Sequence, residues 1–349
     1  MEGYRKALTV WYNHAKRDLP WRDSREPYHI WVSEVILQQT RIQQGIEYYH
    51  NFLRLFPDVL TLANASEEEV LKAWQGLGYY SRARNMHHAA KTIQITYNGV
   101  FPADYISIKK LKGIGAYTAA AIASIAFGLP YAVVDGNVYR VLSRLFGIST
   151  PIDSTAGKKE FCHLAQLILD PGRSGDSNQA LMELGAIQCL PAQPLCSNCP
   201  LRTNCYAYAN QCVDSFPVKS KKIKQKERYL NYIYLYHKNK LFLEKRGDKD
   251  IWRNMFQFPL IETNDPTSPE EVMGSKAWED LFKNSTINIG SVYPERIHLL
   301  THQRLHIRFF SVKLDRNSIL GNFIVAEHGE ISKYPVPKPI ESFLLEMGH

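Results

Sequence analysis

The sequence predicts two domains of different class, an all-α domain followed by an α+β domain. Three observations predict it. The chain has 349 residues, enough for two domains of roughly 100–200 residues, each with its own core. Apolar residues recur at helical spacing as far as about residue 210, then at the period of two that marks half-buried strands. Between those regimes lies Val218 to Arg228, where Lys219, Lys221, Lys222, Lys224, Lys226 and Arg228 face Glu227 alone. That composition suits a solvated linker lying beside a phosphate backbone, and equally a solubilising charge run. The boundaries drawn are 1–216, a linker 217–228, and 229–349.

The elements follow in order. Met1 to Pro20 reads as an amphipathic helix carrying Arg5, Lys6, Lys16, Arg17 and Asp18. A secretory signal would show a charged end and then an apolar run, so a cytoplasmic location is expected. Trp31, Val35, Leu37 and Ile42 predict one early helix, and Tyr48, Phe52, Leu55 and Phe56 the next, which stops before Pro57. Ser66 followed by Glu69 is a capping box opening a helix from Ser66 to Trp74. Gly113 to Val134 carries no charge but is interrupted by Gly128 and Pro130 and rich in alanine, which predicts a buried helix and no membrane span. Tyr139–Phe146 and Lys158–Leu169 predict two more helices, and Asn178–Ile187 leads into a cysteine cluster. Beyond the linker, Tyr229–Tyr236, Lys240–Glu244 and Ile307–Lys313 alternate as strands, with a helix near Ser268–Phe282.

Composition narrows the function. With 45% apolar, 12% aromatic and 22% charged residues the chain is ordinary globular protein, which excludes collagenous, coiled-coil and low-complexity classes. A net charge of +8 favours a polyanionic partner, with nucleic acid first. Cys189, Cys196, Cys199 and Cys205 give C-x6-C-x2-C-x5-C, with Pro191, Pro194, Asn198 and Pro200 bending the chain between them. Such a loop can wrap one tetrahedral or cubane metal centre. Spacing alone leaves zinc and iron–sulfur both open. Cys162 and Cys212 read as ordinary residues.

The cysteine spacing, following a helix and an upstream glycine turn, resembles the iron–sulfur loop of the helix-hairpin-helix DNA glycosylase superfamily that includes endonuclease III. Leu111-Lys112-Gly113-Ile114-Gly115 before an alanine-rich helix is similar to its hairpin, with Lys112 where proline is common, and Asp135 in Val134-Asp135-Gly136-Asn137-Val138 stands where the superfamily places its catalytic aspartate. Gly113 and Gly115 would let the backbone approach a DNA phosphate. Three features resemble the MutY family within it. These are Leu19-Pro20-Trp21-Arg22 together with Trp31 to Thr40, which contains Glu34, then Gly76-Leu77-Gly78-Tyr79-Tyr80 followed by Ser81-Arg82-Ala83-Arg84, and Tyr117 where strand-cleaving relatives carry a Schiff-base lysine.

The resemblance implies a monofunctional adenine DNA glycosylase with one 4Fe-4S cluster on the four cysteines. It implies as substrate double-stranded DNA containing adenine opposite 8-oxoguanine or guanine. Glu34 would protonate adenine and Asp135 would stabilise the oxocarbenium ion, with Tyr117 and Asn137 positioning them. Gln39 would fill the space left by the extruded base, Thr40 and Tyr79 would meet the opposite base, and Leu77 would contact DNA beside them. Arg22, Gln179 and Met182 fall where the family lines its adenine pocket. The second domain resembles the family's Nudix-like lesion-recognition domain through Ile251 to Pro259. Diphosphate hydrolysis is not expected, because only Glu270 and Glu271 stand where a magnesium-binding helix would need several acids. Leu300-Thr301-His302 takes the place of the family's Phe-Ser-His, keeping a hydroxyl and an imidazole for the lesion while losing an aromatic ring. A monomer with no membrane partner is expected.

The residues themselves suit this chemistry. Breaking an N-glycosidic bond at neutral pH requires a proton for the leaving base and negative charge beside the sugar. Glu34 lies in an apolar helical segment, where desolvation would keep it protonated, and Asp135 would remain ionised. The competing readings are a lyase, a lesion-binding protein without catalysis, and plain structural roles, with Glu34 on a helix surface and Asp135 as a helix cap.

Overall fold

A computed structural model describes residues 1–220, 225–247, 249–283, 285–315 and 323–348. Lys221, Lys222 and Lys224 of the expected linker lie outside the described residues. The chain divides into two compact units, Met1–Ala65 with Arg84–Lys221, and Ser66–Ala83 with Lys222–His349.

Among the described residues, the part before Lys226 holds no strand. Its helices are α1 (Glu2–Ala15), α2 (Pro27–Ile36), α3 (Ile42–Leu55), α4 (Val59–Asn64), α5 (Glu67–Ala73), α6 (Ser81–Thr96), α7 (Tyr105–Lys110), α8 (Ala116–Phe127), α9 (Gly136–Phe146), α10 (Thr155–Ile168), α11 (Ser174–Glu183) and α12 (Tyr206–Ala209). α5 forms with the expected capping box, Ser66 accepting from the Glu69 N–H while the Glu69 carboxylate accepts from the Ser66 N–H. The early helix does not run from Trp31 to Ile42. It ends at Ile36, and Gln39 takes a left-handed φ of 65° before α3 begins at Ile42. The apolar rhythm crosses this break because Leu37 and Ile42 line the same cavity from either side of it.

α8 is buried over Thr118–Ile125 and packs on α2, as an alanine-rich helix must if two backbones are to approach closely. The turn ahead of it closes through Ile114 N–H to Leu111 O. Gly113 there has φ of 80°, and a Cβ would sit 2.5 Å from Cβ of Asn85, so only glycine fits. No helix among the described residues is long and apolar enough to cross a membrane.

The second unit carries strands β1 (Lys226–His237), β2 (Lys240–Lys245), β3 (Phe256–Gln257), β4 (Leu260–Thr263), β5 (Ile287–Val292), β6 (Arg296–Leu299), β7 (Gln303–Leu314) and β8 (Ile324–Glu327). Its order is β3-β2-β1-β7-β5, with β4 on β1, β6 on β7 and β8 on β2. β1 and β7 run parallel, from Lys226 opposite Gln303 to Tyr236 opposite Lys313. The period of two splits their side chains between two cores. Leu230, Tyr232 and Phe309 pack with Phe343 of α15 (Lys338–Glu346), whereas Ile233, Leu235 and Phe310 pack with Trp278. The single helix expected over 268–282 is two, α13 (Pro269–Met273) and α14 (Lys276–Phe282), because Ser275 after Gly274 starts a new N-cap.

Candidate active site

A cavity of about 610 Å³ opens in the helical unit. It is lined by Glu34, Asp135, Tyr117, Asn137, Arg22, Gln39, Thr40, Gln179 and Met182, nine residues drawn from segments more than 150 positions apart. Glu34 enters on α2, whose N1 position is Pro27 and whose Tyr28 and Ile30–Ile36 are buried, leaving the carboxyl in apolar surroundings. Tyr117 enters on the first turn of α8 and donates its phenol to Glu34 Oε2 at 2.5 Å. Burial pushes the Glu34 carboxyl up to about 7, against the lowering effect of Tyr117 and with a further push from the Asp135 charge. Tyr117 itself is raised well above the usual phenol range, mainly by burial. It therefore stays a donor.

Asp135 is the N-cap of α9. Its Oδ1 accepts from the Val138 N–H at 2.7 Å and its Oδ2 from Asn137 Nδ2 at 2.8 Å. Capping and charge placement are thus one arrangement, in which the helix end holds both oxygens fixed. Burial raises the Asp135 carboxyl above its ordinary range, exceeding what the cap bonds and Arg140 lower. In its ionised form a carboxyl so placed would interact strongly with any cation formed beside it.

Sequence reasoning missed the groups behind these. Glu183, 1% exposed, accepts from Arg17 Nε at 2.8 Å and Nη2 at 2.6 Å, and from Arg22 Nη2 at 2.7 Å. Burial would raise its carboxyl, but the hydrogen bonds from Arg17 and Arg22 hold it down at about 2. The result is a fixed Arg22 guanidinium at the cavity wall. Arg140 donates to Asn137 Oδ1 at 2.9 Å, to Gly185 O at 2.6 Å and to Cys189 O at 2.7 Å, joining the Asp135 cap to the cysteine loop. Charge spacing on a helix gives no sign of either role, because Glu183 meets Arg17 and Arg22, and Arg140 meets Gly185 and Cys189, across distant segments.

Gln39 is exposed and left-handed in backbone, and the hydroxyl of Thr40 is buried without a hydrogen-bond partner. Buried hydroxyls without a partner are rare and cost free energy. Gln179 accepts from the Tyr12 hydroxyl at 2.7 Å, and Met182 lies 3.9 Å from the Tyr117 hydroxyl. Leu77, Tyr79, Thr301 and His302 lie in the other unit, where the Tyr79 hydroxyl meets Thr301 Oγ1 at 2.5 Å. The hairpin turn of Thr301 is set by Leu300 N–H to Gln303 O and by Lys226 N–H to His302 O. Leu300 packs against that unit's core and so anchors the turn.

Cys189, Cys196, Cys199 and Cys205 surround one hollow together with Arg144, and all are free thiols. Arg144 donates to Cys189 Sγ at 3.4 Å and to the carbonyls of Leu190 and Pro191, so a guanidinium faces the thiols and pins the loop. Among the described residues no three ligating side chains gather as a single-ion site would require. Four thiols around a shared hollow beside a cation are nonetheless a donor set that fits a thiolate-bound cluster.

Residues 32–164 match the family model of the HhH-GPD superfamily base excision DNA repair proteins, and residues 231–346 match the NUDIX domain. The chain is 37% identical over 324 residues to an adenine DNA glycosylase of Buchnera aphidicola subsp. Baizongia pistaciae, covering 91% of this chain and 88% of that one. It is 46% identical over 214 residues to the adenine DNA glycosylase of Mus musculus, covering 59% of this chain and 42% of that one. Among solved structures, a thermostable thymine-DNA glycosylase aligns with a TM-score of 0.56 at 30% identity, over 60% of this chain and 96% of its own. A non-covalent endonuclease III–DNA complex shares the fold, with a TM-score of 0.52 at 22% identity over 59% of this chain and 94% of the other.

Proposed function

The chain belongs to the adenine DNA glycosylase family of base excision repair, and on that premise we propose that Glu34 and Asp135 together remove adenine mispaired with 8-oxoguanine or guanine in duplex DNA. The observation that carries the assignment is the pairing inside one cavity of a carboxyl held near neutrality with a second carboxylate fixed by a helix cap. Adenine leaves the base stack, at a cost of a few kcal/mol, and enters the cavity. The protonated Glu34 gives its proton to N7 of the purine while the bond from N9 to C1′ breaks and its electron pair goes to the base. The sugar becomes an oxocarbenium ion beside the Asp135 carboxylate. Water then adds to C1′, passing its proton to the Glu34 carboxylate and restoring the acid.

Tyr117 orients the Glu34 carboxyl, Asn137 orients Asp135, and Arg22, Gln179 and Met182 bound the space for the base. The absence of an amine at position 117 supports base removal without strand cleavage. Gln39 fills the vacated stack, while Thr40, Leu77, Tyr79, Thr301 and His302 meet the opposite base and its flanks, and Gly113 and Gly115 admit a phosphate. Cys189, Cys196, Cys199 and Cys205 would hold one 4Fe-4S cluster, which would tie the loop into one rigid piece. In this reading the chain divides into 1–216, a linker 217–228 and 229–349. The protein works as a monomer in the cytoplasm, on the chromosome.

A nicking assay on duplex with adenine opposite 8-oxoguanine tests this reading. Strand breaks only after alkali are expected. Breaks without alkali would mean a lyase, and none in either condition would mean a binding protein. A brown preparation with about four irons per chain is expected, against one zinc in a colourless preparation.

A further inference from the structure

The turn Gly76–Tyr79 is held in an unusual backbone. Gly76 and Gly78 have φ of 93° and 70°, and Tyr79, which has a side chain, has φ of 47°. A left-handed tyrosine is strained and persists only where its surroundings over-determine it. Tyr79 is also 46% exposed, so packing around its ring does not supply the restraint. Side chains that bond its backbone include Arg82, Trp74 and Tyr80, and Arg82 reaches two carbonyls. Arg82 Nη2 donates to Leu77 O and to Gly78 O, each at 3.2 Å. Its guanidinium lies 5.3 Å from the Trp74 ring centroid and 5.7 Å from that of Tyr79. Trp74 Nε1 adds a bond to Gly78 O at 3.2 Å, and the Arg82 N–H bonds Tyr79 O at 2.9 Å. Burial lowers the Arg82 guanidinium to about 10, which leaves it cationic at neutral pH.

We propose that Arg82 is a positioning residue: its guanidinium, seated on the rings of Trp74 and Tyr79 and bonded to the Leu77 and Gly78 carbonyls, locks the Leu77–Tyr79 turn into a rigid wedge for opening the duplex opposite the excised adenine. It touches neither the leaving base nor the reacting sugar. It acts by sparing the turn the cost of becoming ordered when DNA arrives, and by aiming the Tyr79 hydroxyl at Thr301. Lysine cannot replace it, because a point charge offers neither a planar face to two rings nor a fork to two carbonyls. The inference rests on the proposal above that Tyr79 meets the opposite base and its flanks, which it takes further by making the turn a wedge.

The test is a double-mutant cycle of Arg82→Lys and Tyr79→Ala, read as single-turnover adenine excision on two duplexes. One is fully paired around the mispair, and in the other both flanking steps are mismatched and already unstacked. Arg82→Lys is expected to slow excision about tenfold on the paired duplex and less than twofold on the unstacked one, and to add nothing in the Tyr79→Ala background. Equal slowing on both duplexes, a loss additive with Tyr79→Ala, or wild-type rates throughout would overturn it. Wild-type excision by Tyr79→Ala alone would remove the wedge reading itself, and Arg82's role with it. A folding defect would slow both duplexes alike, so the ratio between them keeps the outcome interpretable.

Discussion

The Tyr117 phenol donates a 2.5 Å hydrogen bond to Glu34, and it opposes the burial that keeps that carboxyl protonated. The hydrogen bond favours the carboxylate, so removing it moves the acid upward. Wild-type single-turnover excision is expected to fall as pH rises through about 7, where Glu34 loses its proton. In Tyr117→Phe that alkaline limb is expected at higher pH, alongside a lower plateau from a less well-aimed carboxyl. A limb that shifts downward would contradict the electrostatics. In Asp135→Asn, with a neighbouring negative charge removed, the limb of any residual activity moves down.

Glu34 also taxes the fold. Its carboxyl lies near 7 in the folded chain against 4.5 for an unperturbed one, so the folded state holds the proton more tightly. Stability from this group is complete below about 4.5 and is lost as pH rises through 7, up to roughly 3 kcal/mol. Glu34→Gln should therefore melt at higher temperature than wild type at pH 8, with the two converging near pH 4. Identical melting at both pH values would show that the carboxyl is well solvated.

Glu183 works in the opposite sense. Its folded value of about 2 lies below 4.5, so its contribution is present above 4.5 and lost as pH falls through 2. Glu183→Ala leaves Arg17 and Arg22 without their carboxylate and is expected to cost about 3–5 kcal/mol in urea denaturation. Excision should fall further than stability accounts for, because Arg22 loses its place on the cavity wall. A variant of wild-type stability would show that the pair is solvated.

Gly113→Ala places a methyl against Asn85 in a left-handed backbone, costing about 1–2 kcal/mol from the backbone alone. If the hairpin holds a phosphate, affinity for duplex DNA should drop and the salt dependence of binding should flatten by one contact. Unchanged affinity at low and high salt, measured by fluorescence anisotropy, would take the hairpin out of the interface.

Much of this was readable because local chemistry repeats. The Ser66–Glu69 box, the Gly113 turn and the alternation along β1 and β7 each follow from rules acting within a few residues. The burial of Glu34 was legible from its apolar helical segment, whereas its proposed role came from the family resemblance. What stayed hidden depends on distant partners: Glu183 gains its role from Arg17 and Arg22, over 160 positions away, and Arg140 from the turn after α11. The break at Gln39 was hidden for another reason. Apolar periodicity reports which residues face a cavity, and here two helices share one.

The account stands on the proton of Glu34, and Glu34→Gln tests it most directly, assayed for binding and single-turnover excision on the same duplex carrying adenine opposite 8-oxoguanine. Binding within a few-fold of wild type with excision slowed roughly 100- to 10,000-fold is the expected result. Excision at the wild-type rate by a side chain that has no acidic proton would contradict it.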